Sequence, residues 1–327
     1  MRIGIDAFGG DNAPEAVILG VKEALNSIES NIVLYGDEST IVRLLTKHEV
    51  NLQKIEIVHT TQIVSGEDKP VMAVKKKKDS SMIKGLIDLR KKELDAFLSA
   101  GNTGALLAGG LLKVGRIKGI DRPALVSVYP TNKGISVLAD AGANAECKAR
   151  NLKEFSIMGS LYAKEILQIE NPKVGLVNIG DEKGKGTALV KEAYEEIEKL
   201  DNINFIGNVE ARDISFGQVD VIVCDGFTGN IILKLSEGVV KSLSDMFKNV
   251  FMKNVFTKIS ALAVKSGLSD IKKKLDYSEY GGAPLLGVKE LIVKAHGSSN
   301  PKAFKNAIIY AEKALKNDLI GKIEKNL

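Results

Sequence analysis

Nine short apolar runs rich in Val and Ile, each closing on small or polar residues and each followed by a helical pattern, constrain this chain more than any other feature. They are RIGID (2–6), NIVLYG (31–36), KIEIVHT (54–60), DAFLSAGNTG (95–104), ALVSVYP (124–130), ISVLADAGAN (135–144), KVGLVNIG (173–180), NINFIGNV (202–209) and DVIVCDGFTGN (220–230). A strand that is apolar on successive residues is buried on both faces, which requires a mostly parallel sheet covered by helices on either side. The expected class is therefore α/β, doubly wound, a three-layer αβα arrangement around one large, mostly parallel sheet. No Pro/Gly/Ser-rich linker and no 20–50-residue repeat divides the chain, so a single α/β domain over 1–327 is expected.

Composition removes several functions. The chain has 327 residues with 46 Lys+Arg against 41 Asp+Glu, a net charge of +5 with the signs interleaved, no Trp and few aromatics. A nucleic-acid surface would be more densely basic and would carry exposed aromatics, so no nucleic-acid partner is expected. Cys147 and Cys224 are far apart and form no CxxC, which argues for a reduced, cytoplasmic setting without a disulfide framework. The uncharged stretch Ala96–Leu112 is broken by Gly101, Asn102, Thr103, Gly104, Gly109 and Gly110, and so reads as strand, loop and helix rather than a membrane span. With three His and no acidic cluster of ligand spacing, no metal and no cofactor is expected.

In open α/β sheets ligands bind beyond the carboxyl ends of the strands. Six strand-end segments are rich in Gly, Asn, Ser and Thr: FGGDN (8–12), SAGNTGA (99–105), ADAGAN (139–144), NIGDEKGKGT (178–187), DGFTGN (225–230) and AHGSS (295–299). Each could be an ordinary turn or helix cap, but together, at what is expected to be one edge, they suit an anion such as phosphate. Named nucleotide motifs are missing: in GDEKGKGT, Lys185 is followed by Gly186 rather than Ser or Thr, and no G-x-G-x-x-G opens the first helix. His48 and His59 read as solvated surface, and His296 stands out for its Gly/Ser turn. Asp140 and Asp225 could cap helices, orient a ligand or stay structural, and Asn230, which begins an apolar helix, could cap its backbone or offer its amide to a ligand oxygen. A glycine-rich anion site without a dedicated nucleophile suits a reaction whose nucleophile is phosphate itself.

Two helical segments are distinctive. Residues 151–169 form an amphipathic helix with Gly159 and Ser160 available for close packing. Residues 244–275 carry Phe247, Phe251, Met252, Val255, Phe256, Ile259, Leu262 and Ala263 over half a helical circumference, with Lys253, Lys258 and Lys265 on or beside the other half. Gly267 is expected to end that helix before a second, short basic one. The segment reads either as a core or dimer helix, or as an exposed apolar tip ringed by lysines.

The ordered set MRIGIDAFGGDNAPEAVILG, SAGNTGALLAGG, GRIKGIDRPAL, NFIGNVEARDI, DGFTGNIILK and YGGAPLLGVKELIVKAHGSS resembles the bacterial phosphate acyltransferase (PlsX) family from the first residue to about residue 315. The resemblance implies a fold similar to phosphotransacetylase and isopropylmalate dehydrogenase, with one large, mostly parallel mixed sheet in an αβα arrangement. It also implies a homodimer that transfers a fatty acyl group from acyl carrier protein to inorganic phosphate, and a peripheral membrane association. The acyl phosphate would pass to the membrane glycerol-3-phosphate acyltransferase PlsY in phospholipid (phosphatidic acid) synthesis. Residue by residue, it places the catalytic roles on Lys185, with Lys183 as the alternative, and on Asn230. The substrate or phosphate site falls to Gly101, Asn102, Thr103, Gly104, Asp140, Asn144 and His296. Docking to an anionic membrane or to acyl carrier protein falls to Phe251, Val255, Ile259, Leu262, Lys258 and Lys265. A phosphotransacetylase or phosphotransbutyrylase using acyl-CoA, and a non-catalytic anion- or lipid-docking protein, are the alternatives.

Overall fold

The computed structural model describes residues 1–275 and 277–326. All nine expected runs form strands: β1 (Arg2–Asp6), β2 (Asn31–Gly36), β3 (Ile55–His59), β4 (Ala96–Ser99), β5 (Ala124–Thr131), β6 (Gly134–Ala139), β7 (Lys173–Asn178), β8 (Asn204–Glu210) and β9 (Val221–Val223). Two more, β10 (Ala283–Leu286) and β11 (Leu291–Lys294), lie in the C-terminal YGGAPLLGVKELIVK segment. Between β1 and β4 run α1 (Glu15–Ala24), α2 (Glu38–Lys47), α3 (Pro70–Lys76) and α4 (Ser81–Arg90). After β4 comes α5 (Thr103–Gly109), which widens into a π turn over Gly110–Val114. The second half adds α6 (Ala149–Glu165), α7 (Ala188–Glu198), α8 (Ala211–Ile214), α9 (Gly226–Phe251), α10 (Val255–Leu275), α11 (Pro301–Lys316) and α12 (Leu319–Lys325).

The eleven strands make one sheet in the order β3-β2-β1-β4-β11-β10-β5-β6-β9-β7-β8. Alternation along each run explains the double burial: Ile3 and Ile5 of β1, Ile32 and Leu34 of β2, and Ala96 and Leu98 of β4 face the layer of α1, α2, α6, α7, α11 and α12. Val33, Tyr35 and Phe97 face α3, α4 and α5, while Leu138 and Ile222 meet the side covered by α9. Gly159 does serve close packing, since a Cβ there would lie 2.6 Å from Val221 Cγ1 and so would collide with β9.

The pairing is parallel within β3-β2-β1-β4-β11 and again within β6-β9-β7-β8. Between these halves, β11/β10, β10/β5 and β5/β6 are antiparallel. Three reversals leave the second half running opposite to the first. The glycine-rich loops therefore do not share one edge, as the sequence led us to expect. FGGDN, SAGNTGA and AHGSS follow β1, β4 and β11 at one edge, whereas ADAGAN, NIGDEKGKGT and DGFTGN follow β6, β7 and β9 at the other.

Helix α9 crosses between the edges. It starts beyond β9, passes Tyr129 of β5, whose hydroxyl lies 2.9 Å from Ser236 Oγ, and continues as an exposed rod. The chain breaks at Met252–Asn254, where Asn254 Oδ1 accepts from Thr257 N at 2.9 Å and starts α10. Gly267 does not terminate a helix; α10 runs through it, with nothing near its Cα to oppose a helical path. Among the described residues no helix is long and apolar enough to cross a membrane.

Candidate active site

At the first edge three loops lock together. Asp11 N donates to Gly297 O at 2.8 Å, and Asn12 Nδ2 donates to Ser298 O and Ser299 O at 3.1 and 3.2 Å. Gly10 has φ of +106°, and a Cβ there would lie 3.0 Å from both Ala100 Cβ and Gly297 O, so only glycine lets the chains approach. Beneath them Asp6, at the end of β1, accepts from Ser81 Oγ (2.6 Å), Ser99 Oγ (2.7 Å) and Phe8 N (3.3 Å). Burial pushes its carboxyl up, opposed by those donors and by the Lys294 ammonium. Lys294, buried at the end of β11, donates to Ala100 O and Ala295 O and so ties the β4 and β11 loops. Its ammonium, desolvated and close to Lys234, falls to about 8 despite Asp6 and Asp11.

Asn102 of the expected site is the cap of α5: its Oδ1 accepts from Ala105 N at 3.0 Å, and its Nδ2 holds the carbonyls of Ser65, Gly66 and Asp68. That leaves the first-turn N–H groups of Thr103 and Gly104 without helical partners, as at any helix start. Gly101 N is already bonded to Ser99 Oγ at 3.0 Å.

His296 sits at the same edge and is met from above by α9. Lys234 Nζ lies 3.2 Å from its Nε2, and Ser298 Oγ lies 2.8 Å from its Nδ1. The Ser298 backbone N–H also donates to Nδ1 at 3.2 Å, so each ring nitrogen of the imidazole faces a donor, the Lys234 ammonium at Nε2 and the Ser298 amide at Nδ1. Burial first, and Lys234 second, hold the imidazole below its usual range. Lys234 also pairs with Glu237 at 2.8 Å.

Lys234 is four residues beyond Asn230, on the same helical face and about 6 Å along the axis. Asn230 is not a cap. The cap of α9 is Asp225, which accepts from Thr228 N at 2.8 Å, and Asn230 is the fifth residue of the helix. Its exposed amide borders Gly142, whose added Cβ would be 3.7 Å from Asn230 Oδ1.

At the second edge Asp140 begins no helix and is fully buried. Its Oδ1 accepts from Leu125 N, Gly142 N and Ala143 N at 3.1, 3.1 and 2.9 Å, and its Oδ2 accepts from the Asn144 backbone and side-chain nitrogens, both at 2.7 Å. Burial raises its carboxyl and those donors oppose the rise. The Asn144 side chain also donates to Pro123 O and its backbone carbonyl accepts from Gly226 N, so the pair seats the start of α9.

Lys185 stands exposed on the loop after β7, beside β9, and pairs with Glu182 at 2.9 Å, which lifts its ammonium above the usual range. Lys183 is turned away, bonded to Glu198 and over the Tyr194 ring at 5.1 Å. Lys185 thus shares an edge with Asn230. It is not brought to Gly101–Gly104, which lie six places along the sheet from β7, roughly 29 Å of strand spacing, and at the opposite edge. His48 and His59 stay out of the site, His48 paired with Glu15 at 2.9 Å and His59 Nδ1 accepting from Glu38 N. The residues that motif reading missed are Lys234 and Lys294. Lys234 closes the DGFTGNIILK motif at helical spacing from Asn230, which is a usable signal, whereas nothing local marks Lys294.

The αβα sheet of two opposed parallel halves is a phosphotransacetylase-like fold. The structure aligns with a phosphotransacetylase from Streptococcus pyogenes at a TM-score of 0.67, 18% identity, and 97% and 94% of the two chains. It aligns with the EutD phosphotransacetylase from Staphylococcus aureus at 0.62, 14%, and 96% and 94%. At these identities the likeness is one of fold. The family model described as "Fatty acid synthesis protein" matches residues 1–322. The phosphate acyltransferase of Alkaliphilus oremlandii (strain OhILAs) is 57% identical over 327 residues, covering 100% of this chain and 97% of its own. That of Clostridioides difficile (strain 630) is 51% identical over 324 residues, covering 99% and 95%. The chain belongs to the phosphate acyltransferase (PlsX) family.

Proposed function

We propose that this acyltransferase takes its acyl group from the thioester of acyl carrier protein and delivers it to inorganic phosphate, for use by the membrane glycerol-3-phosphate acyltransferase of phosphatidic acid synthesis. The observation that carries the reading is the Lys234–His296 contact, which sets an oriented ammonium over the glycine-rich loops and one helical turn from the Asn230 amide. In this reading hydrogen phosphate lies between Lys234, His296 and the N–H groups of Thr103 and Gly104. One of its oxygens attacks the thioester carbonyl, the new C–O bond forms, and the Asn230 amide donates to the developing oxyanion. The C–S bond then breaks, and the proton of hydrogen phosphate ends on the departing thiol. Lys185, on the Asn230 edge, serves the acyl donor in this arrangement rather than the phosphate.

The exposed apolar ridge of α9 and α10 supports two further parts of the reading, a homodimer contact and attachment to an anionic membrane surface. Phe256 is 82% and Leu262 70% exposed, beside Val255 and Ile259, while Phe251 is half-buried at the turn and Lys258 and Lys265 are exposed.

The test is phosphate-dependent formation of acyl phosphate, trapped as its hydroxamate, from palmitoyl-acyl carrier protein against palmitoyl-CoA. Product from the carrier-bound donor supports the reading. Product from CoA alone moves the protein to the acyl-CoA reaction that the fold likeness favours.

A further inference from the structure

A second charged feature lies outside the α9–α10 ridge and outside the site. The segment Lys69–Lys78 reads KPVMAVKKKK, and its helix α3 is fixed from within by Ala73 and Val74, which pack with Leu86, Met82 and Leu106. That fixing turns Val71, Met72, Lys75 and Lys76 outward together, as a helical repeat requires. Lys77 is spent on Asp68 (2.6 Å) and on Ile63 O (2.8 Å). Lys69, Lys75, Lys76 and Lys78 are exposed and make no ion pair among the described residues; Glu67 is the exposed acid nearest in sequence. Between the lysines Val71 and Met72 are 48% and 43% exposed, and Ile63, whose carbonyl holds Lys77, is 49% exposed.

The patch is attached to the site. The Asn102 amide that caps α5 holds the carbonyls of Ser65, Gly66 and Asp68, and a Cβ on Gly104 would lie 2.6 Å from Pro70 Cγ. A partner seated on α3 is therefore held at a fixed offset from Thr103 and Gly104.

We propose that α3 and its four unpaired lysines are the docking surface for an acidic protein that carries the acyl thioester, an inference that rests on the carrier-bound donor proposed above. Unpaired cations ringing a small apolar centre match a partner with an acidic face and a few exposed apolar side chains, and such a field accelerates encounter by roughly 10- to 1,000-fold at low ionic strength. A membrane is the poorer fit. The exposed apolar surface of α3 is only Val71 and Met72, while the far larger apolar ridge of α9 and α10 stands elsewhere on the molecule.

The experiment compares the wild type with K75E/K76E/K78E and the milder K75Q/K76Q/K78Q. Octanoyl-acyl carrier protein and the uncharged octanoyl thioester of N-acetylcysteamine serve as donors, and thermal melting confirms the fold of each variant. We expect the Glu variant to lose roughly 10- to 100-fold in kcat/KM with the carrier-bound donor at low salt, the Gln variant less, and both to stay within about twofold with the small thioester. Wild-type turnover of the carrier-bound donor should fall with salt, and that slope should flatten in the Glu variant. Unchanged carrier-bound turnover overturns the proposal, as does an equal loss with both donors. Loss of binding to phosphatidylglycerol vesicles with unchanged carrier turnover assigns the patch to lipid and also overturns it. A wild type that consumes the small thioester but not the carrier-bound one sinks the donor reading itself. A wild type active on the carrier, with unaffected variants, sinks the docking surface alone.

Discussion

Lys234 and His296 meet at 3.2 Å although one belongs to the helix that starts beyond β9 and the other to the loop after β11, strands of opposite direction. The contact is where α9, having crossed the sheet, reaches the far edge.

Lys234→Met should lower kcat/KM for phosphate by about two orders of magnitude, the scale of losing one preorganised charge in a partly desolvated site. Circular dichroism should be unchanged, because Lys234 is exposed and its pair with Glu237 contributes little to stability. Activity near that of the wild type would place the phosphate elsewhere.

Acid should weaken the same contact. The His296 imidazole is held below its ordinary range, so the folded protein resists a proton that the unfolded chain accepts. The stability it confers is complete above about 6.5 and is lost as the pH falls from there through the folded value. Protonation also removes the acceptor for Lys234. Phosphate kcat/KM should show an acid limb below 6.5 that His296→Gln removes; an unchanged limb in that variant would assign it to another group.

Lys294 gives the opposite test in alkali. Its folded value near 8 lies below the free lysine value, so between about 8 and 10.5 the unfolded chain holds more protons and stability contributed by this group rises with pH. Urea unfolding of wild type and Lys294→Met at several pH values should show the wild type gaining relative to the variant over that window, by no more than about 3 kcal/mol. A difference independent of pH would show that the ammonium is better solvated than its two carbonyl partners imply.

For Lys185→Ala the expected change is a higher KM for the acyl donor with the phosphate KM within about twofold, because Lys185 shares its edge with Asn230 and not with Thr103 and Gly104. A selective rise in the phosphate KM would move the phosphate to the β7–β9 edge.

Two glycines of the crossing helices should respond oppositely. A Cβ on Gly229 would lie 1.9 Å from Asp140 O, a backbone atom, so Gly229→Ala should unseat the start of α9 and cost about 3 kcal/mol or more together with activity. Gly267→Ala, with open space around it in mid-helix, should stabilise by roughly 0.5–1 kcal/mol. Thermal melting of both variants checks the pair.

Much of the architecture was legible because burial on both faces leaves a local mark: a run such as RIGID or NIVLYG has no polar side to spare. The family motifs likewise singled out Asn230 and His296, which the structure places one helical turn from Lys234 and in contact with it, respectively. β10 and β11 escaped notice because four-residue strands, one containing Pro284, carry too little pattern to separate from a loop. The true start of α9 was hidden by the glycines before Asn230, whereas Asp225 as its cap was readable from residue type. Strand direction was not legible at all, since an apolar run reads the same whichever way it points. That direction is settled by the three antiparallel pairings in the middle of the sheet, formed between segments far apart in the chain. They separated Lys185 from Gly101–Gly104, turned Asp140 and Asn144 into struts for α9, and brought Lys234 to His296. Nine of the eleven strands and the glycine-rich character of the loops that follow them could be read from residues alone, because both depend on side chains within a few positions. Which loops share an edge, and that Lys234 reaches His296, follow from long-range strand pairing and from the path of one helix across the sheet, which no local pattern records.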